Sequence, residues 1–315
     1  MPPSFFKGMK CRKAEHGSIL NRQAEPSGEG EERCGQLAGK TQYVTAHDGV
    51  RLEITTHQAE APKALIVLWP CGGGNARLYR FSYRAVLEAG YSIVLYNPRG
   101  HGNSQGGIML EQSIHDLKRV LDLYNSAGLP IIAVGHSVGC CGLLRYETLF
   151  SGIKRFFLLS PVLDSSVSLL YMYGKGTIDQ FIGFLRPWTK HGDELNTILA
   201  TRDWMDEPYW RKNSLSERLD RLSETRKIGQ FLRNNFIPGV RVYEELESCA
   251  SDCTIFLPSK DDWFPIAETV EHAGRYGARV IQLPEANDHF FSGGMRPVWK
   301  LIAADLGVQS GNAGF

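Results

Sequence analysis

The chain has 315 residues, and its 35 basic and 34 acidic side chains leave a formal charge of +1. That length holds one large α/β domain, or a core of roughly 200–250 residues carrying an insertion. The balanced charge excludes the basic footprint of a nucleic-acid binder, and no stretch reaches the roughly 18–20 uninterrupted apolar residues of a membrane span.

Residues 1–40 read as a polar, mobile extension. Phe5 and Phe6 open it, but no apolar signal core follows, and Glu15, Glu25, Glu29, Glu31 and Glu32 argue against a transit peptide. Strand patterns follow at Gln42–Ala46 and Val50–His57 across the turn His47-Asp48-Gly49. A rhythm of short apolar runs and amphipathic stretches then sets in. The runs are Ala64–Trp69, Tyr91–Tyr96, Ile131–Val134, Arg155–Leu159, Thr254–Leu257 and Arg279–Leu283. Helical patterns lie between them at Leu78–Ala89, Gln112–Asn125, Gly139–Leu149 and Ile266–Tyr276. Strands apolar on both faces, alternating with helices, predict a mostly parallel sheet flanked by helices.

The rhythm breaks once, over 161–248, a stretch too long for a loop between core strands. It reads as a helical cap, or lid, inserted late in the sheet. Its Tyr171, Met172, Tyr173, Phe181, Phe184, Trp188, Trp204 and Trp210 either form the cap's own core or line an apolar pocket. The core then comprises 41–160 and 249–308. Seven cysteines make no disulfide framework, and Cys249 and Cys253 lack a second ligand pair, so no metal site is expected. Free thiols point to a reducing, cytoplasmic setting.

Gly135-His-Ser-Val-Gly139 stands between a buried strand and a helix. This G-x-S-x-G turn is a nucleophile elbow, which lifts the Ser137 hydroxyl above the sheet edge on strained backbone. A serine hydroxyl needs a base and an orienting acid, which follow it in the chain in that fold. Three histidines follow Ser137. His191 falls in the cap and His272 inside a helix, whereas His289 lies in the loop after the last strand and suits a general base. The preceding strand ends in Lys260-Asp-Asp262, offering Asp261, the preferred acid, or Asp262; Asp164 is a third candidate, and Asp288 is expected to face solvent. Oxyanion donors are expected from the Val138 N–H and from Pro70-Cys-Gly-Gly-Gly-Asn75, with Gly73 preferred over Gly72 and Gly74. That loop fits neither G-x-G-x-x-G nor a Walker pattern, so no cofactor is expected.

Several motifs in order now resemble a known family. Cys71-Gly-Gly-Gly with Leu78-Tyr-Arg, Ala89-Gly-Tyr91, Asn97-Pro-Arg-Gly-His-Gly-Asn-Ser104, Gly135–Gly139, the paired aspartates and His289-Phe290 are similar to the monoglyceride-lipase and serine-aminopeptidase-like branch of α/β hydrolases, which includes lysophospholipase-like enzymes. The resemblance spans roughly Gln42 to Leu306 apart from the cap, and implies the α/β-hydrolase fold and a Ser-Asp-His triad. Two positions depart from it. The family has His-Gly where this chain has Cys71-Gly72, and an aspartate before the Arg-Gly-His-Gly turn where it has Asn97-Pro98. His101, in that turn, carries no expected catalytic role.

The expected function is a serine hydrolase, carboxylesterase-, lipase- or thioesterase-like, acting on a small-molecule acyl substrate through an acyl-enzyme. Acyl transfer, or amide and peptide cleavage, would use the same triad. A non-catalytic binding protein on this fold is the alternative of a different class. Oligomeric state is not legible.

Overall fold

The computed structural model describes residues 39–312 except 73, 80–82, 108, 125–127, 177–239 and 293. The polar extension and most of the cap, with His191 and the aromatic residues from Phe181 to Trp210, lie outside the described residues.

Eight strands form one sheet in the order β1-β2-β4-β3-β5-β6-β7-β8. They are β1 Lys40–Thr45, β2 Arg51–His57, β3 Leu65–Trp69, β4 Ser92–Tyr96, β5 Ile131–His136, β6 Ile153–Leu159, β7 Cys253–Pro258 and β8 Arg279–Leu283. The β1–β2 and β2–β4 pairs are antiparallel, and all others are parallel. Among the described residues, seven helices accompany them: α1 Arg84–Glu88, α2 Leu110–Asp122, α3 Val138–Phe150, α4 Ser165–Lys175, α5 Tyr243–Cys249, α6 Ile266–Tyr276 and α7 Met295–Asn312.

The pleat splits each apolar run between two cores. Leu65, Val67 and Trp69 join Val94, Tyr96, Ala133, Phe156, Leu158, Ile255 and Leu257 on the face covered by α2, α3 and α5. Ile66 and Leu68 join Ile93, Leu95, Phe157, Leu159 and Phe256 on the face covered by α1 and α7, where Trp299 is fully buried. Helix α2 shows the complementary period, with Leu110, Ile114, Leu117 and Leu121 buried along one face. Each such side chain contributes roughly 1.5–3 kcal/mol on burial. Continuous apolar strands therefore require helices on both faces, as the sequence predicts.

One expectation needs correction. The helix foreseen at Leu78–Ala89 is instead a 3-10 turn, Ala76–Tyr79, and a separate short α1. Asn75 caps the start of that turn, its side-chain oxygen accepting from the Arg77 N–H at 3.0 Å. Past Pro161 the described residues give α4 and, after the undescribed stretch, α5. Asp164 and Arg241 form an antiparallel bridge, so the chain leaves and re-enters the core side by side.

Candidate active site

The site lies where β5, β7 and β8 end, all at the C-terminal edge of the sheet. Between β5 and α3, Ser137 has φ 58° and ψ −122°, a conformation that L-residues avoid at a cost of about 1–3 kcal/mol. Neighbouring backbone over-determines it. The Ser137 N–H donates to the Leu159 carbonyl at 2.9 Å, and the Ser137 carbonyl accepts from the Cys140 N–H at 3.1 Å. Both flanking glycines are needed for close approach. A Cβ on Gly135 would stand 2.8 Å from the Cys140 Cα, and one on Gly139 would stand 2.5 Å from the Trp69 and Pro70 carbonyl oxygens.

Ser137 Oγ donates to His289 Nε2 at 2.8 Å, and His289 Nδ1–H donates to Asp261 Oδ2 at 2.8 Å. All three residues are buried, with His289 1% exposed. Asp261 Oδ1 accepts the N–H groups of Trp263 at 2.8 Å and Phe264 at 3.0 Å, so both carboxylate oxygens are satisfied. Burial works to raise the Asp261 carboxyl. The electrostatic attraction and hydrogen bond from His289 and these two N–H donors outweigh burial and hold the group below its usual range.

The other candidates are occupied elsewhere. Asp262 pairs with Lys260 at 2.8 Å. Asp164 starts α4, accepting the Val167 N–H at 3.2 Å. Asp288 Oδ1 accepts the N–H groups of Phe290 and Ser292, both at 3.0 Å, and so shapes the turn that carries His289. His272 stacks on Tyr243 with ring centroids 4.0 Å apart. His101 is buried with its Nδ1 donating to the Arg99 carbonyl at 3.1 Å, and desolvation pulls it down to about 4.

Of the oxyanion candidates, Gly73 lies outside the described residues. Val138 opens α3, where backbone N–H groups lack intrahelical acceptors. A Cβ on Gly72 would meet the Val138 side chain at 3.6 Å, so the loop after β3 runs beside the elbow.

Sequence reasoning missed several residues. Trp263 stacks on His289, with interplanar angle 11° and centroids 5.4 Å apart, and Phe290 meets both rings edge-on. His136, the variable residue inside G-x-S-x-G, is fully buried. Its Nε2–H donates to the His289 carbonyl at 2.8 Å, and its Nδ1 accepts from the Tyr79 hydroxyl. Desolvation and the facing His289 hold it neutral, lowered to about 3. The Tyr79 oxygen also accepts from the Cys71 N–H at 3.4 Å. The Cys71 thiol, in the position where the resembled family has histidine, is pushed up to about 11 by burial and stays protonated.

Among the described residues no His, Cys, Asp and Glu cluster fits a metal ion, and no helix is long and apolar enough to cross a membrane. The arrangement offers a hydroxyl at the sheet edge, an imidazole at hydrogen-bond distance and a satisfied carboxylate behind it.

Residues 60–215 match a family model described as serine aminopeptidase, S33, a span that includes Ser137 but ends before Asp261 and His289. No curated protein sequence matches the chain. Among solved structures it is similar to an esterase of Pyrococcus furiosus (13% identity, TM-score 0.58, covering 93% of this chain and 97% of that one). It is also similar to Est1E of Butyrivibrio proteoclasticus with ferulic acid bound (13% identity, TM-score 0.57, 86% and 100%). A third likeness is to a carboxylesterase structure from Nitrososphaera gargenis (15% identity, TM-score 0.56, 86% and 100%). At these identities the likeness is one of fold.

Proposed function

We propose that this chain, which belongs to the α/β-hydrolase superfamily, is a serine hydrolase cleaving a carboxylic ester or thioester through an acyl-enzyme. The observation that carries this reading is the relay of two 2.8 Å hydrogen bonds from Ser137 through His289 to Asp261. A serine on strained backbone, at hydrogen-bond distance from a histidine that a buried carboxylate orients, is the geometry acyl transfer needs.

Ser137 Oγ attacks the acyl carbon while its proton passes to His289 Nε2. Asp261 holds the imidazole by Nδ1 and stabilises the imidazolium that forms. The carbonyl oxygen becomes an oxyanion, for which the Val138 N–H and the glycine loop, with Gly73 as the chosen donor, supply the stabilisation. The tetrahedral adduct collapses as the leaving oxygen or sulfur takes the proton from His289 Nε2. Water then attacks the acyl carbon as His289 takes its proton, and the second tetrahedral adduct collapses to the carboxylic acid while His289 Nε2 returns the proton to the leaving Ser137 Oγ.

Trp263 and Phe290 beside His289 support an apolar acyl group. The family model's description favours one second reading, amide or peptide hydrolysis, which uses the same acyl-enzyme. The test is turnover of p-nitrophenyl esters from acetyl to palmitoyl by the wild type and by Ser137→Ala. Ester turnover abolished by the substitution supports the proposal, and a maximum at longer chains supports the apolar preference. Full activity in Ser137→Ala overturns it. Wild-type turnover of aminoacyl anilides but not of esters moves the reading to amide cleavage.

A further inference from the structure

We propose that Glu53 and Asn97 form a buried acid–amide pair that positions the oxyanion loop, making both of them positioning residues for the chemistry at Ser137. The inference rests on the reading of Ser137 as an acylated nucleophile.

Glu53, on β2, is fully buried, and every group facing its carboxylate is a donor. Oε2 accepts from Asn97 Nδ2 at 2.7 Å and from the Asn103 N–H at 3.0 Å. Oε1 accepts from Asn103 Nδ2 at 2.9 Å and from the Arg77 guanidinium. The four donors use both carboxylate oxygens, so burial leaves neither one unsatisfied. Asn97, at the end of β4, is 1% exposed and faces the loop after β3 on its other side. Its Oδ1 accepts the Ala76 N–H at 2.8 Å, and its Nδ2 also donates to Asn75 Oδ1 at 3.2 Å. Asn75 and Arg77 lie on that same loop, so residues 75–77 are tied to the pair at three points. The loop's other end begins at Pro70, beside Gly139 at the elbow, and Gly72 adjoins Val138. The loop that would supply oxyanion donors is therefore held at its far end by Glu53 and Asn97.

The turn after β4 closes the pair from water. A Cβ on Gly102, whose φ is +53°, would stand 2.3 Å from Asn97 Nδ2 and 2.8 Å from Glu53 Oε2. The Ser104 hydroxyl accepts the Glu53 N–H at 2.7 Å and donates to the Asn97 carbonyl at 2.6 Å. This gives the Asn97–Ser104 segment a specific task. The amide at 97, where the resembled family has an acid, follows from the acid at 53. The amide donates to Glu53 and Asn75 through its NH2 while its oxygen accepts from the Ala76 N–H. An aspartate at 97 would remove the NH2 group that donates to both Glu53 and Asn75.

The test compares wild type, Asn97→Asp, Glu53→Gln and the exchanged double variant Glu53→Gln/Asn97→Asp. Two quantities are read: kcat and KM for a p-nitrophenyl ester, and the rate at which a fluorophosphonate labels Ser137. Asn97→Asp should lower kcat by about 30- to 100-fold with KM within about twofold, and slow labelling in proportion, because a misplaced oxyanion loop acts on the transition state. The exchanged variant restores a 53–97 hydrogen bond of reversed polarity and should label at least about tenfold faster than Asn97→Asp. Asn75→Ala, which adds no charge and spares the buried pair, should slow labelling severalfold and keeps the proposal open to refutation if Asn97→Asp fails to fold. Wild-type labelling rates in both Asn97→Asp and Asn75→Ala overturn the proposal, as does an exchanged variant no better than Asn97→Asp. A wild type that is not labelled at Ser137 overturns the nucleophile reading and this one with it.

Discussion

His136, the residue immediately before Ser137, donates from Nε2 to the main-chain carbonyl of His289 at 2.8 Å. The elbow therefore grips the backbone of the residue that receives its proton in the proposed mechanism. The bond fixes His136 as the Nε2–H tautomer and leaves Nδ1 to accept from Tyr79, whose oxygen in turn takes the Cys71 N–H. One buried chain of hydrogen bonds thus joins the loop after β3, the elbow and the loop after β8.

Tyr79→Phe tests that chain. It leaves His136 Nδ1 and the Cys71 N–H without partners, at a cost of about 1–3 kcal/mol for each buried group left unsatisfied. The melting temperature should fall, and kcat should fall by about tenfold as His289 loses its fixed height. Unchanged kcat with a lowered melting temperature would confine the network to stability.

The paired aspartates give a second prediction. Asp261 accepts from His289 and from two backbone N–H groups, whereas Asp262 is paired outward with Lys260. Asp261→Asn should lower kcat by about 10³- to 10⁴-fold through the wrong imidazole tautomer. Asp262→Asn breaks one largely exposed ion pair and should leave kcat within about twofold. Equal losses in the two variants would remove Asp261 from its role.

The elbow glycines predict a contrast in stability. A methyl at Gly139 meets two carbonyl oxygens at 2.5 Å, and one at Gly135 meets the Cys140 backbone at 2.8 and 2.9 Å. Backbone cannot swing away, so either change to alanine should cost about 3 kcal/mol or more in denaturant unfolding, at the upper end of overpacking penalties. A methyl at Gly274, in α6, would have nothing within 4 Å, so Gly274→Ala should instead stabilise by about 0.5–1 kcal/mol. A Gly139→Ala protein as stable as Gly274→Ala would contradict the packing described.

The sheet was legible because its strands are apolar on both faces, and period alone separates them from the helices. The strand at Arg279–Leu283 and the helix at Ile266–Tyr276 stand at their expected bounds. The 3-10 turn was not legible, since Leu78–Ala89 carries a helical period in which nothing in the residue types marks the change from Ala76–Tyr79 to α1. Ser137, Asp261 and His289 could be nominated from chain order, because each follows a strand at the same sheet edge. His136 and Tyr79 could not, because apart from each other their partners are a carbonyl and an N–H, which leave no trace in residue type. Glu53 was invisible for a related reason: an acid inside a strand reads as a solvated face until its four donors are seen.

Two buried histidines contribute to the acid response of the fold above the carboxylate range. His136 and His101 are held down to about 3 and about 4, chiefly by desolvation, against about 6.5 when unfolded. Both are neutral in either state well above about pH 6.5, so they add no pH dependence there. As pH falls below that value the unfolded chain binds protons that the folded chain refuses, and stability drops. Each histidine contributes a slope of about 1.4 kcal/mol per pH unit until its folded value is reached. Together they should cost about 2.8 kcal/mol per unit between roughly pH 6 and pH 4, and His136 alone the smaller slope below that. Urea unfolding across this range, starting from neutral pH, measures the slope directly. His101→Gln should halve it while leaving ester turnover at neutral pH nearly unchanged, since the relay from Ser137 through His289 to Asp261 does not include His101. A slope equal to that of the wild type would mean that His101 takes up its proton while folded.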